Sequence, residues 1–188
     1  FLSTSHSYIY GGRGKDVVTI TGGVSTINLG DGNNVVTIKD SNGSNNITTG
    51  SGNDTINIIG EKDVNEITLG GGNDTVNISG ASRSIIHAND KSKDSDDADT
   101  LNGGKGIDVY YVGNKDTISD KGGNGRVYFN SDKYYLVGGT ETSAGSKTYK
   151  RDNFTYNLNG NTLSVTDDNT GEKITIKDYD KYRNNGGD

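Results

Sequence analysis

Two segments set the frame for the whole chain: Gly50–Ile58 (GSGNDTINI) and Gly70–Ile78 (GGGNDTVNI), which differ only at Ser51/Gly71 and Ile56/Val76. Toward the N-terminus, Gly30–Ile38 (GDGNNVVTI) and Gly12–Ile20 (GRGKDVVTI) repeat the same plan. Their first glycines stand at 12, 30, 50 and 70, advancing by 18, 20 and 20 residues. A fixed period of this length marks a stacked repeat architecture. Half a period away lie weaker segments of the same kind: Val24–Leu29 (VSTINL), Asn45–Thr49 (NNITT) and Asn65–Leu69 (NEITL). One coil of 18–20 residues therefore carries two short strands and two turns.

Within the strong segments apolar residues alternate, as Val18/Ile20, Val36/Ile38, Ile56/Ile58 and Val76/Ile78. The weaker set does the same with Ile27/Leu29 and Ile67/Leu69. Alternation puts one side chain in two into a core and the next into solvent, where Thr19, Thr37, Asn57 and Asn77 belong. Stacked coils then form two parallel sheets across a thin aliphatic core. Identical turns at a fixed period favour this solenoid over a set of antiparallel hairpins.

Aromatic residues mark a boundary. No Phe or Tyr occurs between Gly11 and Val109, whereas Tyr110, Tyr111, Tyr128, Phe129, Tyr134, Tyr135 and several others follow. The C-terminal third therefore needs a thicker core. Asn157–Val165 (NLNGNTLSV) reads as a hairpin over Asn159-Gly160, and Lys173–Lys177 (KITIK) as a strand after the Thr170-Gly171 turn. These antiparallel strands are expected to cover the last coil, whose open edges would otherwise face water. Tyr128, Phe129 and Tyr134 or Tyr135 are the candidates for packing onto it. The expected organisation is a roll over 1–121, with an acidic insertion near 88–98 (Ala88–Ala98, ANDKSKDSDDA), and a cap over 122–188. Asp90, Asp94, Asp96 and Asp97 of the insertion could bind calcium, but they fit no loop pattern and read rather as a solvated acidic loop.

Composition asks what holds such a chain together. Gly accounts for 29 of 188 residues, hydrophobic residues for only 28%, and the net charge is −6. Low hydrophobicity with excess charge normally means disorder. A fold completed by a bound cation, which also neutralises the carboxylates, escapes that outcome. There is no Cys, so disulfides and thiolate metal sites are excluded. No stretch is long enough to span a bilayer, and the acidic balance leaves no patch for nucleic acid. Phe1–Tyr10 lacks the basic start and apolar core of a signal peptide. The start without Met and the abrupt end predict a piece of something longer, monomeric as a fragment.

The turns carry the chemistry. In Gly50-Ser51-Gly52-Asn53-Asp54 the glycines allow positive φ, and the Asp supplies a hard anionic oxygen. Calcium takes six to eight oxygens, mixing carboxylates with backbone carbonyls. One turn cannot supply so many, but two turns stacked about 4.8 Å apart can. Each Gly-x-Gly-x-Asp is thus half of a site.

These segments resemble the nonapeptide Gly-Gly-x-Gly-x-Asp-x-apolar-x of the RTX calcium-binding repeat family. Gly11–Thr19 (GGRGKDVVT) and Gly103–Tyr111 (GGKGIDVYY) match every defined position, with Tyr110 as the apolar one. Asp116–Asn130 (DTISDKGGNGRVYFN), Gly138-Gly139 and Lys173–Tyr179 (KITIKDY) are similar to the region after the repeats in iron-regulated Frp-type RTX proteins. The resemblance implies an all-β fold, a right-handed parallel β-roll with an antiparallel cap. It also implies ligation of several Ca2+ ions by the carbonyls at positions 2 and 4 and the carboxylate at position 6. Carried over, those positions are Gly12, Gly14 and Asp16; Gly30, Gly32 and Asn34; Gly50, Gly52 and Asp54; Gly70, Gly72 and Asp74; and Gly104, Gly106 and Asp108. Asp99 and Asp116 stand at the same distance before Leu101 and Ile118, with poorer glycine loops. Asn34 weakens any site it shares, so the site between Asp54 and Asp74 is expected to be the best formed. The opposite turns hold Ser25, Asn45 and Asn65 where Asp would be needed, so metal is expected along one edge of the first coils.

No catalytic constellation stands out, since His6 and His87 are the only histidines and the well-placed aspartates are absorbed by calcium. The leading expectation is a non-enzymatic calcium module of a large secreted toxin, adhesin or surface-layer protein. Such a module would pass a type I secretion apparatus unfolded and fold on extracellular calcium. The alternative is the carrier domain of an exported protease, lipase or epimerase, with the active site upstream. Ice binding is discounted, because the turns carry Arg13, Asp31, Ser51 and Gly71 at position 3 rather than a regular Thr or Asn array.

Overall fold

The computed structural model describes residues 6–39, 43–61, 64–80, 83–88, 97–120, 122, 125–130 and 133–179. After β1 (His6–Tyr10) the chain makes two strands per coil. They are β2 (Val17–Thr21) and β3 (Val24–Asn28), β4 (Val35–Lys39) and β5 (Ser44–Thr48), then β6 (Thr55–Ile59) and β7 (Val64–Thr68). There follow β8 (Thr75–Ser79) and β9 (Arg83–His87), β10 (Thr100–Gly103) and β11 (Ile107–Val112), then β12 (Thr117–Asp120) and β13 (Arg126–Phe129). The odd strands β1 to β13 form one parallel sheet and the even strands β2 to β12 another. The chain is therefore an all-β solenoid, as the 20-residue period requires.

Register runs through the even sheet without a slip: Val18, Val36, Ile56, Val76, Leu101 and Ile118 lie side by side. The insertion leaves this ladder intact, because Leu101 pairs with Val76 directly across it. Residues 89–96 of the insertion, with Asp90, Asp94 and Asp96, lie outside the described residues. Alternation sets the burial. Ile56 and Ile58 of β6, with Ile67 of β7 and Leu69 just after it, are buried, while Thr55 and Asn57 face outward at half exposure. Four aliphatic side chains per coil make a thin core, and each 20-residue coil must be ordered on that burial.

The core widens once. Tyr110 of β11 is fully buried, and its room comes from glycine. A Cβ on Gly103 would lie 1.9 Å from the Tyr110 hydroxyl oxygen, and one on Gly125 would lie 3.1 Å from Cε2 of its ring.

Past the last coil come β14 (Thr140–Glu141), β15 (Thr148–Arg151), β16 (Phe154–Asn159), β17 (Thr162–Asp167) and β18 (Lys173–Lys177). The β16–β17 hairpin forms as its sequence predicts but turns one residue later, over Gly160-Asn161, with Asn159 paired to Thr162 and Gly160 at φ 56°. These strands extend the even sheet rather than close the end of the roll crosswise. β18 pairs in parallel with β12, bringing Ile176 beside Ile118, and β17, β16, β15 and β14 follow antiparallel. The odd sheet also runs beyond 121, since β13 pairs in parallel with β11. Phe129 packs inside, buried and 5.9 Å from Phe154 ring to ring. Tyr128 instead stacks outside on Tyr111 at 4.6 Å. Tyr134 is 69% exposed with Lys133 over its ring, whereas Tyr135 packs on the outside of β13, its ring 5.9 Å from Tyr128 edge-on and 5.3 Å from the Arg126 guanidinium.

Candidate metal centre

One row of side chains follows the whole roll along the turns that precede the even strands. It consists of Asp16, Asn34, Asp54, Asp74, Asp99 and Asp116. Each backbone N–H in the row donates to Oδ1 of the next member. Asp16 donates to Asn34 at 2.9 Å, Asn34 to Asp54 at 2.7 Å, and Asp54 to Asp74 at 2.7 Å. Asp74 then donates to Asp99 at 2.7 Å, and Asp99 to Asp116 at 2.9 Å. Apart from half-buried Asp16, every member is buried. Asp99 and Asp116 thus join the row despite their poor glycine loops.

The second side-chain atom has varied fates. Oδ2 of Asp16 accepts from Gly12 N at 3.2 Å, and Oδ2 of Asp116 from Gly113 N at 2.9 Å. The Asn34 amide donates to the Gly30 carbonyl at 3.1 Å. Oδ2 of Asp54 and Oδ2 of Asp74 are buried and accept no hydrogen bond. A buried carboxylate oxygen left this way is costly unless something else satisfies it.

The loops between these carboxylates are built for close backbone approach. Gly14, Gly32, Gly52 and Gly72 have φ of 114°, 122°, 118° and 115°, which L side chains rarely adopt. A Cβ on Gly32 would sit 2.0 Å from the Gly14 carbonyl oxygen, and one on Gly70 would sit 2.1 Å from that of Gly50. Carbonyl oxygens therefore face the next turn at the positions the repeat reserves for glycine.

Electrostatics agree. Burial first, then repulsion from Asp99, Asp54 and Asp97, pushes Asp74 up to about 8, against a backbone hydrogen bond that lowers it. Burial likewise pushes Asp99 up to about 7 and Asp116 up to about 8, and it raises Asp54. Among the described residues no lysine or arginine acts on these four carboxylates. Buried carboxylates in single file, without a protein cation, must either hold protons or meet a cation from outside.

The donor set fits a hard divalent cation. Each turn contributes a carboxylate and glycine carbonyls, and two successive turns supply the oxygens that calcium demands. Among the described residues no three acidic or imidazole side chains converge on one point, so a site here must draw on backbone oxygens as well.

The nonapeptide at Gly103–Tyr111 departs from its expected place. Asp108 pairs with Ser84, which continues the row Ser25, Asn45, Asn65 and Ser84 on the opposite edge of the roll. Gly103 belongs to β10, and the turn of Gly104 and Gly106 leads into the odd sheet rather than the even one. Asp99 and Asp116 are 17 residues apart, and Asp108 stands about midway between them, so the motif falls on the second turn of this coil. Asp108 is buried there, which raises its pKa, and Oδ2 accepts from Gly104 N at 3.1 Å. Earlier in that row, Asn45 Nδ2 donates to Asn65 Oδ1 at 2.9 Å, so amides take the place of carboxylates.

Asp97 is the residue that the sequence reading sets in a solvated acidic loop. It is half-buried rather than solvated, and Oδ2 accepts from Gly72 N at 2.7 Å. The available signal was its place two residues before Asp99, where the repeat has its second glycine. Comparison with protein-family models, curated proteins and solved structures finds no match for this chain.

Proposed function

We propose that this chain is a calcium-binding β-roll module of the RTX type, belonging to a larger secreted protein, that folds when calcium fills the sites between its turns. The observation that carries this reading is the single file of buried carboxylates, Asp54, Asp74, Asp99 and Asp116, with no basic partner among the described residues. Bound calcium supplies the missing positive charge and completes its shell with glycine carbonyls and water. Asp16 and Asn34 extend the same edge toward the N-terminus, with Asn34 contributing a neutral oxygen.

The physical consequence is folding gated by the ion. Where calcium is scarce, the carboxylates repel one another and the thin core does not offset the cost of ordering the coils. Extracellular sites with Kd of about 10⁻⁴–10⁻³ M fill at millimolar calcium, and several ions that bind only the folded coils stabilise them by mass action. The chain would therefore remain extended for passage through a type I secretion channel and fold outside. Its role is structural and non-enzymatic.

Far-ultraviolet circular dichroism and trypsin sensitivity test this directly, in metal-free buffer and in several millimolar calcium. The expected outcome is a large gain of β-signal and of protection with calcium, and a weak one with magnesium. Equal signal and equal protection with and without calcium overturn the proposal.

A further inference from the structure

The last coil and the C-terminal strands leave a cleft of about 220 Å³ between them. Its walls are apolar, formed by Ile118 of β12, Val127 of β13, Leu163 and Val165 of β17, and Ile176 of β18. A cavity of about 150 Å³ lined by Leu, Ile and Phe already admits benzene, so a ring-sized molecule has room here. The inner end carries a carboxylate. Asp120, the last residue of β12, lines the cleft, is 1% exposed, and accepts at Oδ1 from Gly122 N at 2.9 Å. Gly125 lines the cleft as well, and a Cβ on it would lie 2.3 Å from Asp120 Oδ2 and 3.1 Å from Cε2 of Tyr110. With no side chain at Gly125, that oxygen and the Tyr110 ring border the same space. Among the described residues that line the cleft there is no lysine, arginine or histidine.

We propose that this cleft binds a small organic ammonium ion with an apolar ring, its charge on Asp120 and its ring among the aliphatic walls. The site uses no residue of the carboxylate row and does not rest on the reading of that row. Charge sets the preference. A carboxylate at the inner end, with no basic side chain in the lining, selects a cation and rejects an anion of equal shape. Burial pushes Tyr156, another lining residue, up to about 12, so its phenol stays neutral and the wall around it is poorly solvated. A charge pair formed in such surroundings is stronger than one in open water. Val137, 45% exposed, stands at the mouth and also lines an adjoining cleft of about 180 Å³. The two clefts share Gly138, Tyr156, Leu163 and Tyr179 as well, so a ligand longer than one ring extends from the first into the second.

Titration of the whole chain with benzylamine, benzyl alcohol and benzoate, at pH 7 in millimolar calcium and followed by protein chemical shifts, tests the site. Two variants accompany wild type. Asp120→Asn keeps an acceptor for Gly122 N and removes the charge, and Val137→Trp adds bulk at the exposed mouth. The expected order is benzylamine tightest, benzyl alcohol about tenfold weaker, and benzoate without binding. Asp120→Asn is expected to bring benzylamine down to the level of the alcohol, and Val137→Trp to weaken both. Benzylamine that binds wild type no better than benzyl alcohol overturns the proposal, as does benzylamine binding unchanged in Asp120→Asn. Should Asp120→Asn fail to fold, the wild-type series and Val137→Trp decide: benzylamine binding unchanged in Val137→Trp sets the amine elsewhere and overturns the proposal too.

Discussion

The backbone N–H of Asp54 donates to Oδ1 of Asp74, one coil later, at 2.7 Å, while the other oxygen of Asp74 stays buried without a hydrogen bond. One side chain therefore has two separable jobs. Asn34 already does the first of them as a neutral residue, accepting from Asp16 N at 2.9 Å. Asp74→Asn should keep the bond to Asp54, relieve repulsion along the row, and lose a calcium ligand. The expected signature at pH 8 is a higher calcium concentration for folding, with a urea midpoint in saturating calcium above that of Asp74→Ala. Asp74→Ala also strands the Asp54 N–H, costing about 1–3 kcal/mol. Asparagine and alanine that prove indistinguishable in urea melts at saturating calcium would refute this division.

Protons and calcium should substitute for one another. Asp74 and Asp116 are pushed up to about 8 and Asp99 to about 7, from an ordinary 3.8. A raised folded-state pKa contributes stability that is complete below the unfolded value and lost as pH rises through the folded one. Metal-free chain should therefore gain β-signal as pH falls from 8 toward 4. The calcium needed for half-folding should rise over the upper part of the same range, because protons occupy the carboxylates. Circular dichroism across pH, with metal-stripped buffers and a calcium series, measures both; a metal-free signal that grows with pH contradicts the assignment.

Tyr110 depends on a neighbour's missing side chain. A Cβ on Gly103 would lie 1.9 Å from its hydroxyl oxygen and 2.8 Å from Oδ2 of Asp108. Gly103→Ala should destabilise the calcium-loaded protein by about 1–3 kcal/mol through overpacking. Adding Tyr110→Phe removes the closest atom and should recover part of that loss. Thermal melts in saturating calcium read the difference, and a double variant no better than Gly103→Ala alone would show the clash lies elsewhere.

The C-terminal strands should set how readily the coils form. β18 takes the edge of β12, with Thr175 N donating to Asp116 O at 2.9 Å, and Leu136 N donates to Val127 O of β13 at 2.8 Å. Truncation after Asn130 leaves both last strands open and Phe129 without Phe154. The shortened chain is expected to need more calcium and to fold less cooperatively. The same midpoint and steepness as the whole chain would assign the cap no part in folding.

The coils were legible because both of their rhythms are local: apolar residues at every second position within a strand, and glycine pairs about every twenty residues. Ile56 and Ile58 could be placed inward, and Asp54 and Asp74 in one file, before any coordinates. The edge occupied by Asp108 was not legible, since one motif serves either turn of a coil and only the sheet pairing shows which. Nor was the parallel seating of β18 on β12, because the strand's own residues carry no mark of its distant partner. Asp97 was hidden by the acidic run that precedes it. Tyr110 was visible as an aromatic where small residues prevail, but its fit depends on Gly103 and Gly125 in two adjacent strands.

The carboxylate file has a direction. Each amide in it from Asp16 to Asp99 points its hydrogen toward the C-terminal neighbour, so the file completes its bonding only against the coil that follows. Asp74 waits on Asp99, and Asp99 on Asp116. The cap closes the series, with Lys115 N reaching Lys173 O at 2.7 Å. The molecule thus has unlike poles, a seed at its tail and a growing tip at its head. Losing the first coil leaves each remaining amide of the file served, whereas losing the tail takes away the acceptor on which the file ends.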